Sequence, residues 1–236
     1  TAEKEATYKI LMVYVTEIHA VIQGISVDYT MSGIERQICE LISVQLSRYL
    51  NDWFYGLVSF EVDTYFTTVA VGNESFTQEF NSDYTSTYFI MANDIPEISG
   101  MIENYESIIT TFCMNDYSRQ LHRESGSAHI KYAAINMEEI FSGLPINSIS
   151  IESILDLEDP NLQYITSVYI HELTHTIELS VYVYDFHEAL GYGNKNGISH
   201  LEIERQYLLN QLLIDGQQVG IPYSFWVGEL EHRGVE

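Results

Sequence analysis

Apolar positions recur at two spacings along the chain, and the pattern changes near residue 160. Before that point, runs of apolar and β-branched residues predict strands, and later the helical spacing of three and four dominates. The predicted strands are Tyr8–Ile18, Val58–Val69, Tyr88–Ala92, Ser107–Met114 and His129–Ile135. The predicted helices are Ser32–Leu50, Ile95–Tyr105, one beginning at Pro160 and one over about Ser199–Ile214, with Met137–Asp159, Val181–Gly197 and the C-terminal tail as loops or turns.

Two of these helices have recognisable starts. Ser32 is followed three residues later by Glu35, the spacing of a capping box, in which both side chains bond to backbone N–H groups. Asp159 precedes Pro160, a pair that favours the first turn of a helix. Strands dominate before this second start, and helix and loop dominate after it, which predicts an α+β fold. We expect one domain, residues 1–236, with an N-terminal lobe (about 1–180) built on a twisted mixed sheet and a smaller C-terminal lobe (about 181–236).

The net charge of the chain limits the classes of molecule that it can bind. The chain has 10 Lys and Arg against 34 Asp and Glu, a formal net charge of -24. A surface this acidic repels nucleic acid and anionic membranes, because phosphate must be met by cations. No uninterrupted apolar run has the length of a membrane span. Cys39 and Cys113 are too few for a disulfide framework and are expected to be buried thiols, although their pairing stays open.

The segment His171-Glu-Leu-Thr-His175 carries the chemistry. Residues four apart on a helix share one face, about 5–6 Å between Cβ atoms, so both imidazoles can bind one zinc ion. Ile170 and Leu173 place the opposite face of the helix in the core. Zinc makes a coordinated water more acidic. Glu172 flanks the metal and can accept that proton and later pass it to a leaving amine, as a general base.

A catalytic zinc takes three protein ligands, and several residues fit the spacing for the third ligand. His187 follows His175 by twelve residues and stands before a glycine-containing turn that can fold back under the helix. Glu188, Glu202 and Glu204 are rivals for the same role. Glu178 lies one turn beyond His175, and a solvated surface charge is the expectation there, with a supporting role behind a ligand as the alternative.

The residues around the motif resemble a known group of enzymes. The run His171-Glu-Leu-Thr-His-Thr-Ile-Glu178, then His187-Glu-Ala-Leu-Gly-Tyr192 and Val219-Gly-Ile-Pro222, is similar to secreted bacterial zinc metallopeptidases of the zincin group. This resemblance covers about the last third of the chain. It implies a zinc-dependent peptidase that is secreted after removal of a leader.

The resemblance also carries expectations for the architecture. It implies a zincin-like twisted sheet above a horizontal cleft, with His171 and His175 as zinc ligands and Glu172 as the base. An edge strand of that sheet would hold an extended peptide substrate, and His129–Ile135 is the segment expected to do so. Backbone pairing with such a strand is a common way to bind peptides.

The chain departs from the sequence patterns of two branches of the zincin group. The metzincin branch has a glycine and a third histidine at fixed short spacing after the motif, where this chain has Glu178 and Val181. That branch also has a methionine turn beneath the metal, and no methionine follows Met137 here. The gluzincin branch places a glutamate ligand on a later helix, which keeps Glu202 and Glu204 as alternatives to a histidine ligand.

Hydrolysis of peptide bonds, by an endopeptidase rather than an exopeptidase, is therefore the expected function. A catalytically silent module that binds a peptide or partner on a zincin scaffold is the alternative. An oxyanion stabiliser is expected opposite the base, and Tyr192, Tyr207 and Tyr223 are unresolved candidates. His129 and His200 are expected to be ordinary surface residues.

Overall fold

The computed structural model has an α+β fold and describes residues 6–80, 86–114, 121, 126–137, 157–181 and 183–227. The strands in these ranges are β1 Ala6–Tyr14, β2 Glu17–Ile22, β3 Ile25–Thr30, β4 Val58–Phe66, β5 Thr77–Phe80, β6 Ser86–Phe89, β7 Ser107–Phe112, β8 Gly126–Ala128, β9 Tyr132–Asn136, β10 Leu212–Ile214 and β11 Gln217–Val219. The helices are α1 Gly33–Phe54, α2 Pro160–Glu178, α3 Phe186–Lys195, α4 His200–Leu208 and α5 Tyr223–Trp226. The predicted α+β class is confirmed. Most of the predicted loop between Met137 and Asp159 lies outside the described residues.

A five-stranded mixed sheet of order β4-β1-β7-β9-β8 lies at the centre of the fold. β4, β1, β7 and β9 are parallel, and β8 is antiparallel to β9. β1 is apolar without interruption from Ile10 to its last residue, Tyr14, and every residue of that run is at most 1% exposed. A strand buried on both faces needs such a run, which explains why this segment lacks the alternation of a half-exposed strand.

The long helices α1 and α2 pack against each other and against the sheet. The capping box at α1 is confirmed, with the Ser32 side chain accepting from Glu35 N (3.2 Å) and Glu35 accepting from Ser32 N (2.7 Å). α1 contacts β4, whereas α2 contacts β7, β8 and β9. Buried Gln45 of α1 accepts a hydrogen bond of 2.5 Å from Thr166 of α2, which ties the two helices together. None of the helices in the described ranges combines the length and apolarity needed to cross a membrane.

Buried hydrogen bonds set the rotation of α2 on the sheet. Ser107 and Thr111 of β7 bond to Thr176 and Tyr169 of α2, each at 2.9 Å. The hydroxyls are buried, and a buried hydroxyl without a partner is costly, so alternative rotations of the helix are disfavoured. The face opposite these contacts is the one that carries the two histidines of the motif.

The predicted helix Ile95–Tyr105 is wrong. The chain instead forms two short 3-10 turns, Pro96–Ile98 and Ile102–Asn104. Gly100 lies between them, and glycine in a helix interior costs about 1 kcal/mol relative to alanine. The apolar spacing that suggested a helix is retained because both turns bury an isoleucine in the core.

The predicted turn Val181–Gly197 is also wrong over most of its length, because α3 occupies it. Asp185 caps this helix by accepting from Glu188 N at 2.9 Å. Its glycines suggested a turn, yet Gly193 is used for helix packing: a Cβ at this position would overlap the side chain of Ile203 on α4. Close contact between α3 and α4, rather than turn geometry, therefore requires a residue without a side chain.

The last predicted helix, Ser199–Ile214, is shorter in the structure. It ends at Leu208, and β10 and β11 follow as an antiparallel hairpin. The hairpin turns at Asp215 and Gly216, with φ of 51° and 79°. An Asp-Gly pair is a strong hairpin signal because both central residues of this turn type need positive φ, so the sequence contained the information.

The prediction that His129–Ile135 is an edge strand is wrong about the position of this segment in the sheet. The strand in this region, β9, begins at Tyr132 and lies between β7 and β8, so it is internal. In the part of the chain that the structure describes, β8 is the outermost strand on this side of the sheet. A segment of three residues carries little periodicity of its own, which is why the hydrophobic pattern did not indicate it.

The two cysteines, Cys39 on α1 and Cys113 directly after β7, are buried thiols that are not joined in a disulfide. Burial raises the pKa of the Cys39 thiol well above its ordinary value. A thiol is nucleophilic only as the thiolate, so Cys39 is a packing residue.

Candidate metal centre

Two histidines of α2 face each other across one turn of the helix. His171 Nε2 and His175 Nε2 are 3.2 Å apart. Zinc binds imidazole nitrogen at about 2.0–2.1 Å, so two ligands at a tetrahedral angle are separated by roughly 3.3 Å. The spacing of the two nitrogens therefore fits a shared zinc ion, as the motif predicts.

His187 approaches this pair from α3. Its ring centroid is 4.5 Å from that of His175 and 5.9 Å from that of His171. Each of the three histidines offers a ligand nitrogen within 4.8 Å of the other two. The structure therefore brings the three predicted ligands together, and three imidazoles are a donor set that suits zinc and leaves a fourth position open.

The three glutamates considered as alternatives to His187 lie outside the histidine cluster or belong to a different cluster. Glu188 is exposed and hydrogen-bonds the side chain of Tyr184. Glu202 accepts from Arg205 at 2.6 and 2.8 Å on the surface of α4, and this pairing lowers the pKa of the carboxyl group. Glu204 is buried beside His171 but is not grouped with His175.

Glu178 supports the site from behind, so the expectation of a solvated surface charge is wrong. Its Oε2 is 2.9 Å from His175 Nδ1, and its Oε1 accepts from Phe186 N at 2.6 Å. With Nδ1 donating to this carboxylate, the lone pair of His175 Nε2 is free to bind a metal. The second bond holds the start of α3, directly before His187. Glu178 thus orients one candidate ligand and positions the helix that carries another.

The second ring nitrogen of His171 faces away from His175. His171 Nδ1 is 3.2 Å from His200 Nε2 and 3.9 Å from Glu204 Oε1. His200 was predicted to be an ordinary surface residue, and its side chain is in fact half exposed but close to His171. These three residues form the second set of possible metal ligands among the described residues. The spacing of four between His200 and Glu204 on a helix was the available sequence signal.

Burial sets the charge states around His171. It lowers the pKa of His171 to about 3, and the charges of His175, His200 and His187 act in the same direction. His171 is therefore neutral at neutral pH, which is the form that binds metals. Burial also raises the pKa of Glu204 well above its ordinary value, and the nearby charge of Glu172 adds to this effect.

Glu172 lies in the wall of a cleft of about 660 Å³ above the histidines. It is buried, with 6% of its surface exposed. The backbone of β8 comes so close that a Cβ at Gly126 would overlap the Glu172 carboxylate and lie 2.6 Å from its Cδ. The cleft residues are Gly126, Ser127, Ala128, His171, Glu172, His175, Glu178, Leu179, Val181, Val183, Asp185 and His187.

None of the three tyrosines considered as oxyanion stabilisers is among the residues that line the described cleft. Tyr207 is fully buried, and its hydroxyl donates to the backbone carbonyl of Tyr184. Tyr223 is half exposed on α5. Tyr192 is partly buried on α3.

Comparison of the chain with protein-family models, with curated proteins and with solved structures found no match.

Proposed function

We propose that this protein is a zinc-dependent peptidase. His171, His175 and His187 hold the ion, and Glu172 is the general base. The observation that carries the proposal is the convergence of three imidazoles, from two separate helices, beside a buried carboxylate in an open cleft. Bound zinc supplies Lewis-acid chemistry, acidifying water and polarising a carbonyl group.

The Glu172 side chain handles the proton in this scheme. It follows His171 directly on α2 and shares the cleft wall with all three histidines. From there it accepts the proton of the attacking water and returns it to the leaving amine. A purely structural metal site has no use for this carboxylate, which argues against the catalytically silent peptide-binding or partner-binding module that is the alternative.

The edge strand β8 is the proposed support for an extended substrate. Its residues Gly126, Ser127 and Ala128 all line the cleft directly above α2. Glu79 of β5 secures the strand by accepting from the Ser127 hydroxyl (2.8 Å) and lying 2.6 Å from His129 Nε2. A peptide that pairs with β8 would pass the metal ligands with its backbone held, as in other cases of strand addition.

The cleft wall also indicates the side chains that a substrate presents. Leu179, Val181 and Val183 are apolar residues of the cleft lining, and Leu179 is half exposed. Burying an apolar side chain there contributes about 25 cal/mol per Å². The net charge of -24 disfavours acidic segments. We infer that neutral or basic peptides with an apolar residue beside the scissile bond are preferred.

A cleavage assay with controlled metal content tests the proposal. Protein purified without metal-chelating resin is stripped with a chelator, dialysed, and incubated with a peptide library before and after addition of zinc chloride. Cleavage is expected with zinc and absent without it. If zinc binds to the three histidines and the library stays intact, the silent binding module becomes the better description.

Gly126→Ala is expected to reduce the rate of cleavage without loss of zinc. The new Cβ would displace the carboxylate of Glu172, the flexible group that it overlaps. A misplacement of about 1 Å in a catalytic group can cost roughly 100-fold in rate. Gly100→Ala is the matched control, because a Cβ there meets no atom within 4 Å. Equal kcat values for the two variants would mean that the contact between β8 and Glu172 is unimportant.

A further inference from the structure

Three potential metal ligands converge on the far side of His171 from the cleft. His200 Nε2 lies 3.2 Å from His171 Nδ1 and 3.3 Å from Glu204 Oε1, and His171 Nδ1 lies 3.9 Å from the same oxygen. His200 and Glu204 are one turn apart on α4, as His171 and His175 are on α2. Two of the three separations are close to the roughly 3.3 Å expected between zinc ligands at a tetrahedral angle.

Hydrogen bonds within the cluster leave Glu204 unsatisfied. Neither carboxylate oxygen of Glu204 has a hydrogen-bond partner among the residues that the structure describes, although Glu204 is 0% exposed. A neutral imidazole nitrogen carries either a proton or a lone pair, so His200 Nε2 cannot donate to Glu204 and accept from His171 at once. A buried carboxyl group without a hydrogen-bond partner is costly, and a bound cation would provide the missing partner.

We propose that His171 Nδ1, His200 Nε2 and Glu204 form a second site for a divalent transition-metal ion. A cation held by these three atoms would accept a lone pair from each of them and would favour the charged form of Glu204. Two imidazoles and one carboxylate favour zinc over magnesium or calcium, which prefer all-oxygen sites. The half-exposed His200 provides the route of entry.

The second site is structural rather than catalytic. Glu204 is fully buried, so a substrate in the cleft cannot reach an ion held there. The ion would join α4 to α2, two helices that already contact each other. Because Gly193 lets α3 pack closely on α4, the ion would also restrain the helix that carries His187.

His171 belongs to both sites, and this part of the inference rests on the proposed function. Its Nε2 faces His175, and its Nδ1 faces His200. If both sites were filled, His171 would offer one ring nitrogen to each ion.

Zinc stoichiometry and affinity test the inference on the full chain. Wild type, His200→Ala, Glu204→Gln and the double variant His175→Ala/His187→Ala are saturated with zinc chloride, and zinc is counted by plasma mass spectrometry. Competition with a chromophoric chelator gives each affinity, and circular dichroism reports the fold. We expect two zinc ions in wild type and one in each of the three variants. His19→Ala is the control, because His19 also lies between two carboxylates, Glu17 and Asp28, but on an exposed hairpin.

The other outcomes separate the two sites. Suppose that wild type binds one zinc ion, which is retained in His200→Ala and lost in the double variant. This result would overturn the second site and leave the proposed peptidase centre intact. If the single zinc ion is instead retained in the double variant and lost in His200→Ala, the result supports the second site and overturns the proposed peptidase centre. Because His200 is half exposed, its replacement tests the site even if Glu204→Gln fails to fold.

Discussion

Glu172→Gln is expected to lower the rate of peptide cleavage by about 100- to 10,000-fold, the usual contribution of a general base. Glutamine keeps the size of the side chain but cannot take a proton from water. Zinc content should stay at the wild-type level, because Glu172 flanks the three histidines without being grouped with them as a ligand. Single-turnover kinetics on a peptide identified from the library, with zinc counted on the same samples, measures both quantities.

A matched control for this variant is Glu40→Gln, which makes the same chemical change on the exposed side of α1. It should cleave at the wild-type rate. Wild-type turnover in Glu172→Gln would remove the carboxylate from the mechanism. Loss of zinc in that variant would show instead that Glu172 is itself a ligand and that the base must be sought elsewhere in the cleft.

His187→Ala is expected to weaken zinc binding at the cleft by at least about 100-fold. Loss of a hydrogen-bonding partner of a ligand already costs about 10–100-fold in affinity, and loss of the ligand itself should cost more. The three histidines lie within ligand distance of one another, so removing one leaves two protein donors. Chelator competition measures the change, and cleavage should fall with zinc occupancy.

Glu188→Ala is the control for this second variant, because Glu188 is the adjacent exposed residue on α3 and a rival ligand. We expect wild-type affinity. If Glu188→Ala loses zinc and His187→Ala keeps it, the third ligand is the carboxylate. Retention of zinc in both variants with loss in Glu204→Gln would assign the ion to the cluster behind His171.

Helix α2 was the part of the fold most readily predicted. Its start at Asp159-Pro160 is a local signal, since the cap bonds Asn161 N only two residues away, at 2.7 Å. The division of its surface into an apolar face and a face with His171 and His175 follows from helical geometry alone. The α+β class was likewise predictable, because strands and helices differ in the period of their apolar positions.

The elements that complete the site were less predictable. α3 contains Gly191 and Gly193, whose local preference indicates a turn, yet packing against α4 requires a small residue at Gly193. β8 is only three residues long and exists through its pairing with β9. In both cases a contact between segments that are distant in sequence determines the structure. The hydrophobic pattern of one segment carries no information about such a contact.

By itself, the sequence determined the pair His171 and His175, the glutamate between them and the helix that presents them, because all three depend on spacing within one helix. The tertiary structure decided which third histidine lies beside them, since the start of α3, which carries His187, is held where Phe186 N donates to Glu178. It also decided that Glu204 is buried against His171. Glu202 and Glu204 are two residues apart on one helix and differ only in the direction they face, which packing against α2 sets.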